Sequence, residues 1–373
     1  MADPQQQVQT LLNELTESGG ERGLQVVAYV GGECVVDAWS GSADPDSGRV
    51  VDGDTLFTVF SVGKGIAATA VHILAARGLL DYDEPVCRYW PEFRVNGKAA
   101  ITVRQVLTHT AGIPQLPDGV TIADVCEWDR ICAAIAQLEP LWQPGTRMGY
   151  HATTWGFLVS ELIHRADGRP FQQVVADEIC RPLDIRTLFF GIPEATESCV
   201  AQLEAVEPSA AATSLAPDSL LPRVMGPVPR TPAIWNRPDI RRACIPAAGG
   251  IMNARAIARH YAALIDTVNG IRLLSPDRLR AATALQMEGN DVVLGRPATR
   301  ALGYGLGGPL AGMGNRRTAF GHAGTGGAIG FADPEYHFAF ALTKNHLVTS
   351  SPGEGSAVAV ARVVRNALGI PEE

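Results

Sequence analysis

The sequence predicts an α+β protein in which an antiparallel sheet flanked by helices sits beside a mainly helical lobe. Three observations point there. Strand-like runs lie near both ends of the chain. They are joined as hairpins rather than in β-α-β alternation, which favours antiparallel pairing. The text between them is mostly helical. The division expected is a sheet lobe from residues 1–60 and 240–373, and a helical lobe over 61–239. A groove between two such lobes is the natural place for a site.

Taken in order, Val8, Leu11, Leu12 and Leu15 recur at helical spacing and give an opening helix that ends near Gly19-Gly20. The runs LQVVAYV (24–30) and ECVVDAW (33–39) read as strands. Gly31-Gly32 between them is a two-residue hairpin signal. From Ser61 to about Leu138, and again over 151–183, the text is mostly helical. Residues 207–238 carry seven prolines and read as a long loop, either a surface excursion or a pocket wall. Helical text returns at 254–268 and 276–285. Strand candidates follow at 301–306, 318–321 and 336–344, and a closing helix covers about 355–368.

Composition excludes several functions. With 373 residues, 46% of them apolar, the chain can bury a large core. The net charge is −8 and the 31 basic residues form no run, which argues against nucleic acid as a partner. No stretch approaches 18 consecutive apolar residues and the N-terminus has no apolar signal-like region, so neither a membrane span nor a secretory signal is expected. Seven scattered cysteines without a C-x-x-C suggest free thiols and a cytoplasmic protein. There is no H-E-x-x-H and no Cys/His cluster, so no metal is expected, nor any other cofactor. GYGLGG (303–308) fits a dinucleotide fingerprint only formally, because no βαβ unit surrounds it.

The chemistry lies in FSVGKG. Ser61 and Lys64 are three residues apart where strand text becomes helix, so both side chains project from nearly the same face. In the first turn of a helix, unpaired N–H groups and the positive end of the dipole favour a developing oxyanion. A serine hydroxyl needs a base, and lysine serves only when neutral. Bringing lysine from about 10.4 to near 7.5 costs roughly 4 kcal/mol, which burial and a second cation can supply.

FSVGKG is followed by an Ala-rich helix and GLLDYDEPV, then by ITVRQVLTHTAGIP (101–114), PGTRMGYHATTWGFLVSELI (144–163) and GHAGTGGAIGFADPE (321–335). Together they resemble the serine β-lactamase and penicillin-recognising superfamily, and within it the class C-like serine esterases known as family VIII carboxylesterases. The resemblance covers essentially the whole chain and implies a β-lactamase/transpeptidase-like fold. It makes Ser61 the nucleophile and Lys64 its activator. Tyr150 becomes the second-motif tyrosine, its phenol lowered by a facing ammonium so that it shares the proton. The third motif, Lys-Thr-Gly on an edge strand in penicillin-recognising relatives, is here His322-Ala323-Gly324. Gly324 would let the strand approach the acyl carbon, and the N–H groups of Thr325 and Ser61 would form the oxyanion hole. His322 either polarises substrate, holds Tyr150, or simply packs. Ala152 stands where relatives have an amide. His109 reads as structural, and His151 and Trp235 as pocket candidates. The losses at 152, 322 and 323 point away from β-lactams, whose carboxylate would need another cation such as Arg237 or Arg241. The function implied is a serine hydrolase cleaving a small-molecule carboxylic ester through an acyl-enzyme. Acyl transfer in natural-product assembly, weak β-lactamase or D-amino-acid peptidase action, and a non-catalytic binding role are the alternatives.

Overall fold

The computed structural model describes residues 3–205, 219–226, 228–348 and 354–372. Asp3 caps the opening helix Pro4–Glu17 by accepting from the Gln5 amide, and Pro4 fits its first turn. The strands, in chain order, begin with β1 (Gly23–Val30), β2 (Glu33–Asp44), β3 (Arg49–Val50) and β4 (Phe57–Thr58). The next are β5 (Leu188–Phe190), β6 (Glu204–Ala205), β7 (Gly250–Met252), β8 (Met287–Asp291) and β9 (Arg296–Arg300). The last are β10 (Gly305–Leu306), β11 (Phe320–Ala323), β12 (Ile329–Asp333), β13 (Phe338–Lys344) and β14 (His346–Leu347).

Nine of them form one sheet in the order β3-β2-β1-β13-β12-β11-β10-β9-β8, with antiparallel neighbours throughout. The β1–β2 hairpin turns on Gly31 and Gly32, at φ +59° and +84°, the left-handed pair that a two-residue turn requires. β1 and β13 are apolar along nearly their whole length because both faces are covered. Leu24, Val26, Phe340 and Leu342 meet the opening helix and the closing helix Ser356–Leu368 at Val8, Leu12, Val360 and Val364. Val27, Ala339 and Ala341 belong to the larger core with Ile257 and Tyr261 of the helix Ala254–Ile265.

Several expectations change in extent. The helical text of 61–138 is broken into Gly63–Ala76 and short helices at 86–89, 103–107, 122–126 and 128–136. Pro85, Pro91, Gly112 and Pro114 stand in the interruptions. Of the proline-rich stretch 207–238, residues 207–218 and 227 lie outside the described residues. Its described part is not a plain loop, for it holds the short helices Leu221–Met225 and Pro232–Trp235. β8, β9 and β12 had no sequence expectation behind them. β8 and β9, MEGND and RPATR, lack apolar alternation because much of the hairpin stands in solvent. Among the described residues no helix is long and apolar enough to cross a membrane.

Candidate active site

From β4 the chain passes through a 3-10 turn, Phe60–Val62, into the helix Gly63–Ala76, which is buried from Gly63 to Ala75. Ser61 therefore precedes the α-helix by one tight turn. Phe60 is held at φ +48°, a left-handed conformation that costs a non-glycine residue of order 1–3 kcal/mol. The Trp235 ring packs edge-on against Phe60 with centroids 5.1 Å apart, and its Nε1 donates to the Pro229 carbonyl at 3.0 Å. Trp235 is thus a buried buttress behind the nucleophile turn. It is buried and does not line the pocket that opens at Ser61.

Lys64 has no solvent exposure. Its Nζ lies 2.9 Å from Ser61 Oγ and donates to the carbonyls of Ala152 and Ala247, each at 2.9 Å. Burial above all, then the charges of Arg230 and Arg300, holds the amine well below the ordinary lysine range. A neutral amine has two N–H bonds, which the two carbonyls take. Its lone pair is then left for the Ser61 hydroxyl.

Tyr150 donates its hydroxyl to Ser61 Oγ at 2.9 Å. Burial pushes this phenol up, against the pull of the Ser61 bond and of Arg300 and Arg230. The expected lowering does not occur. Lys64 lies 5.0 Å from the ring centroid, over its face, and is itself driven toward neutrality, so no ammonium is hydrogen-bonded to the phenolic oxygen. The geometry leaves the Lys64 lone pair facing Ser61 Oγ and aims the Tyr150 hydroxyl at the same oxygen.

His322 and Ala323 end β11, which lies inside the sheet rather than at its edge; β10, β9 and β8 extend the sheet beyond it. Pairing with β10 covers only Phe320 and Gly321. A Cβ on Gly324 would sit 2.2 Å from the Val59 carbonyl oxygen. Glycine is needed there for the turn that carries Ser61 to close on the strand end. His322 Nδ1 lies 2.7 Å from the Ala323 carbonyl, so Nδ1 carries the proton and the buried Nε2 is an acceptor with no protein partner. Burial, with Lys64 and Arg300 nearby, holds this imidazole well below its usual range.

His151 is no pocket wall either. It is buried, its Nε2 accepts from the Ile113 amide at 3.1 Å, and its Nδ1 faces the Gly149 carbonyl at 2.6 Å. Burial brings it to about 4. His109 accepts the His151 amide on Nδ1 at 3.1 Å, and its ring packs at a tilt against Tyr150 with centroids 5.0 Å apart. Both imidazoles are used in shaping the loop that carries Tyr150.

A pocket of about 800 Å³ opens at Ser61 and Tyr150, with 322–325 on one side and the β8–β9 hairpin and residues 305–317 on the other. Asp291 ties the hairpin to the site. It is buried, and its Oδ1 accepts the amides of Tyr150, Val293 and Leu294, each at 3.0 Å. Arg296, Arg300 and Arg317 line this pocket. Arg237 and Arg241 do not. Arg237 pairs with Asp239, and the buried Arg241 is taken by Glu197, Asn236 and Gln202. Reading the sequence missed the hairpin arginines because they sit in polar text. It missed Ala247 because a backbone carbonyl leaves no side-chain signal. Among the described residues no group of three His, Cys, Asp or Glu side chains could hold a metal ion.

The beta-lactamase family model matches residues 8–365. The chain belongs to the beta-lactamase family. It is 36% identical over 345 residues to the esterase/beta-lactamase LipL of Mycobacterium tuberculosis, covering 88% of this chain and 78% of that protein. It superposes on a family VIII carboxylesterase with a TM-score of 0.90 at 33% identity, over 98% of each chain. A penicillin-binding protein homologue from Caulobacter crescentus gives 0.87 at 32% identity, again over 98% of each chain. This member of the family is a serine hydrolase of the β-lactamase fold, and a family VIII carboxylesterase is among the solved structures it resembles.

Proposed function

We propose that this chain hydrolyses carboxylic esters of small molecules through an acyl-enzyme on Ser61. The observation that carries the reading is the position of Ser61 Oγ, 2.9 Å from both a buried lysine amine and a tyrosine hydroxyl. As Oγ attacks the ester carbonyl, Lys64 takes its proton. The tetrahedral oxyanion is held by the backbone N–H groups of Ser61 and Thr325. The bond to the alcohol oxygen then breaks while Tyr150 gives that oxygen its proton. Lys64 returns the serine proton to the phenolate, so both groups are restored at the acyl-enzyme stage. Water then attacks the acyl carbon by the same proton route, and Ser61 is released.

β-Lactam and D-amino-acid peptide cleavage are weaker readings. Ala152 offers an acylamino chain only its carbonyl, which Lys64 already occupies. Acyl transfer differs only in replacing water with an alcohol or amine. Product analysis with p-nitrophenyl butyrate, with and without added alcohols, tests the reading. Free butyrate is expected as the main product, and none above background from Ser61→Ala. A new ester as the main product would make the chain a transferase, and undiminished butyrate release by Ser61→Ala would remove Ser61 from the mechanism.

A further inference from the structure

The pocket beyond Tyr150 carries more positive charge than an ester hydrolase of neutral substrates needs. The chain as a whole is acidic, at −8, yet three arginines and one glutamate line this cavity. The glutamate, Glu288, is taken by Arg317, whose Nη1 donates to it at 2.9 Å. Arg296 has no carboxylate partner among the described residues and donates to the Leu310 carbonyl at 3.2 Å. Arg300 reaches Asp291 Oδ2 only at 3.4 Å, while Asp291 spends its other oxygen on three amides. The Arg300 Nε is buried without a partner. Arg296 and Arg300 are four residues apart on one strand, so both side chains leave the same face of β9. Asp291 offsets only one of these two like charges, so the wall they form stays positive and favours an anion brought to it.

The direction of the pocket assigns the anion to one half of the ester. Tyr150 is the proton donor to the departing oxygen, so the alcohol part must lie on its side of the carbonyl. The Arg300 guanidinium carbon stands 5.4 Å from the Tyr150 ring centroid, one aromatic ring away from the nucleophile. We propose that the preferred substrates are esters whose alcohol part bears a carboxylate or another compact anion, bound by Arg300 in the field of Arg296. This rests on the ester-hydrolase reading above and names the substrate class of that same site. The product alcohol would then be a hydroxy acid or a comparable anionic alcohol.

The test compares 3-carboxy-4-nitrophenyl acetate with 4-nitrophenyl acetate on one preparation, each rate divided by its hydroxide-catalysed rate. The two share an acetyl-enzyme, so the ratio of kcat/KM reads recognition of the leaving group during acylation. The wild type should prefer the anionic ester by about 10- to 100-fold, the worth of one charge-assisted hydrogen bond. That preference should shrink modestly between about 20 mM and 0.5 M salt, because the Arg300 side chain is only 11% exposed and its field is partly shielded from the solution ions. Arg300→Gln should bring the ratio to about one, and Arg296→Gln should lower it part-way. If Arg300→Gln does not fold, the salt dependence and Arg296→Gln decide. A wild-type ratio of about one or below, or a preference untouched by salt and by the arginine substitutions, overturns the inference while leaving the ester reading intact. No turnover of either ester overturns that reading as well.

Discussion

Replacing Tyr150 by phenylalanine separates the two roles a tyrosine could play beside this serine. The substitution keeps the ring that packs against His109 and removes only the hydroxyl that lies 2.9 Å from Ser61 Oγ. In the resting enzyme that bond is a neutral one, worth about 0.5–1.5 kcal/mol, which converts to a loss of roughly 2- to 13-fold. Proton donation to a poor leaving group is worth about 10²–10⁴-fold. The two contributions separate by choice of ester. A p-nitrophenyl ester departs as a stable phenolate and needs no proton, whereas an alkyl ester departs as an alkoxide and does. With p-nitrophenyl butyrate and ethyl butyrate the acyl-enzyme is identical, so kcat/KM isolates the acylation step. Tyr150→Phe should lose no more than about tenfold on the first, followed by absorbance, and about 10²–10⁴-fold on the second, followed by pH-stat. Equal losses of more than about 10² on both esters would make Tyr150 the base that deprotonates Ser61, and the assignment drawn from its raised phenol would be wrong.

Other expectations concern the groups around it. Because Lys64 is held below its unfolded value, the unfolded chain binds more protons between the two values, and wild-type stability rises with pH across that window. Lys64→Met lacks this slope, so in urea titrations between about pH 7 and 9.5 the wild type should gain on the variant by up to about 1.4 kcal/mol per pH unit, and a flat difference would mean Lys64 is charged in the fold. The wild-type kcat/KM should likewise rise as pH passes through the depressed lysine value, and a profile that falls there would contradict a neutral base. Gly324→Ala must displace the Val59 carbonyl that carries the nucleophile turn, so kcat should drop by at least about tenfold with a lowered melting temperature; near-wild-type activity would show that the strand end yields freely. Hydrolysis of p-nitrophenyl butyrate should survive EDTA, since no donor set converges among the described residues, and loss restored by Zn²⁺ would refute that.

What the sequence made legible followed from local physics. Gly31-Gly32 had one economical use, a left-handed two-residue turn, and it makes one. The apolar text of 24–30 and 336–344 pointed to strands, and their neighbouring places in the sheet account for its density. Ser61 and Lys64 had to meet once a helix followed them, and the motif order brought Tyr150 to the same point. What escaped was set by tertiary placement. The hairpin of β8 and β9 has no apolar period, so neither its strands nor Arg296 and Arg300 stood out. The Ala247 carbonyl, which helps hold Lys64, has no side chain to announce it. Trp235 and His151 were drawn toward the pocket by residue type, yet the structure spends both on packing and backbone hydrogen bonds. The state of Tyr150 was misjudged because it depends on whether its neighbour is charged, and burial of Lys64 decides that.

The central claim is a covalent acyl-enzyme at Ser61, and intact-mass spectrometry with peptide mapping tests it most directly. The protein would be treated with a p-nitrophenyl alkylphosphonate, whose phosphorus takes the place of the ester carbonyl and whose adduct water releases slowly. The account predicts one adduct per chain, carried on the peptide containing Ser61, with loss of esterase activity in step with labelling. Lys64→Met should label far more slowly, because its serine has no base. An adduct that persists in Ser61→Ala, or maps to another residue, or forms without loss of activity, would contradict the account.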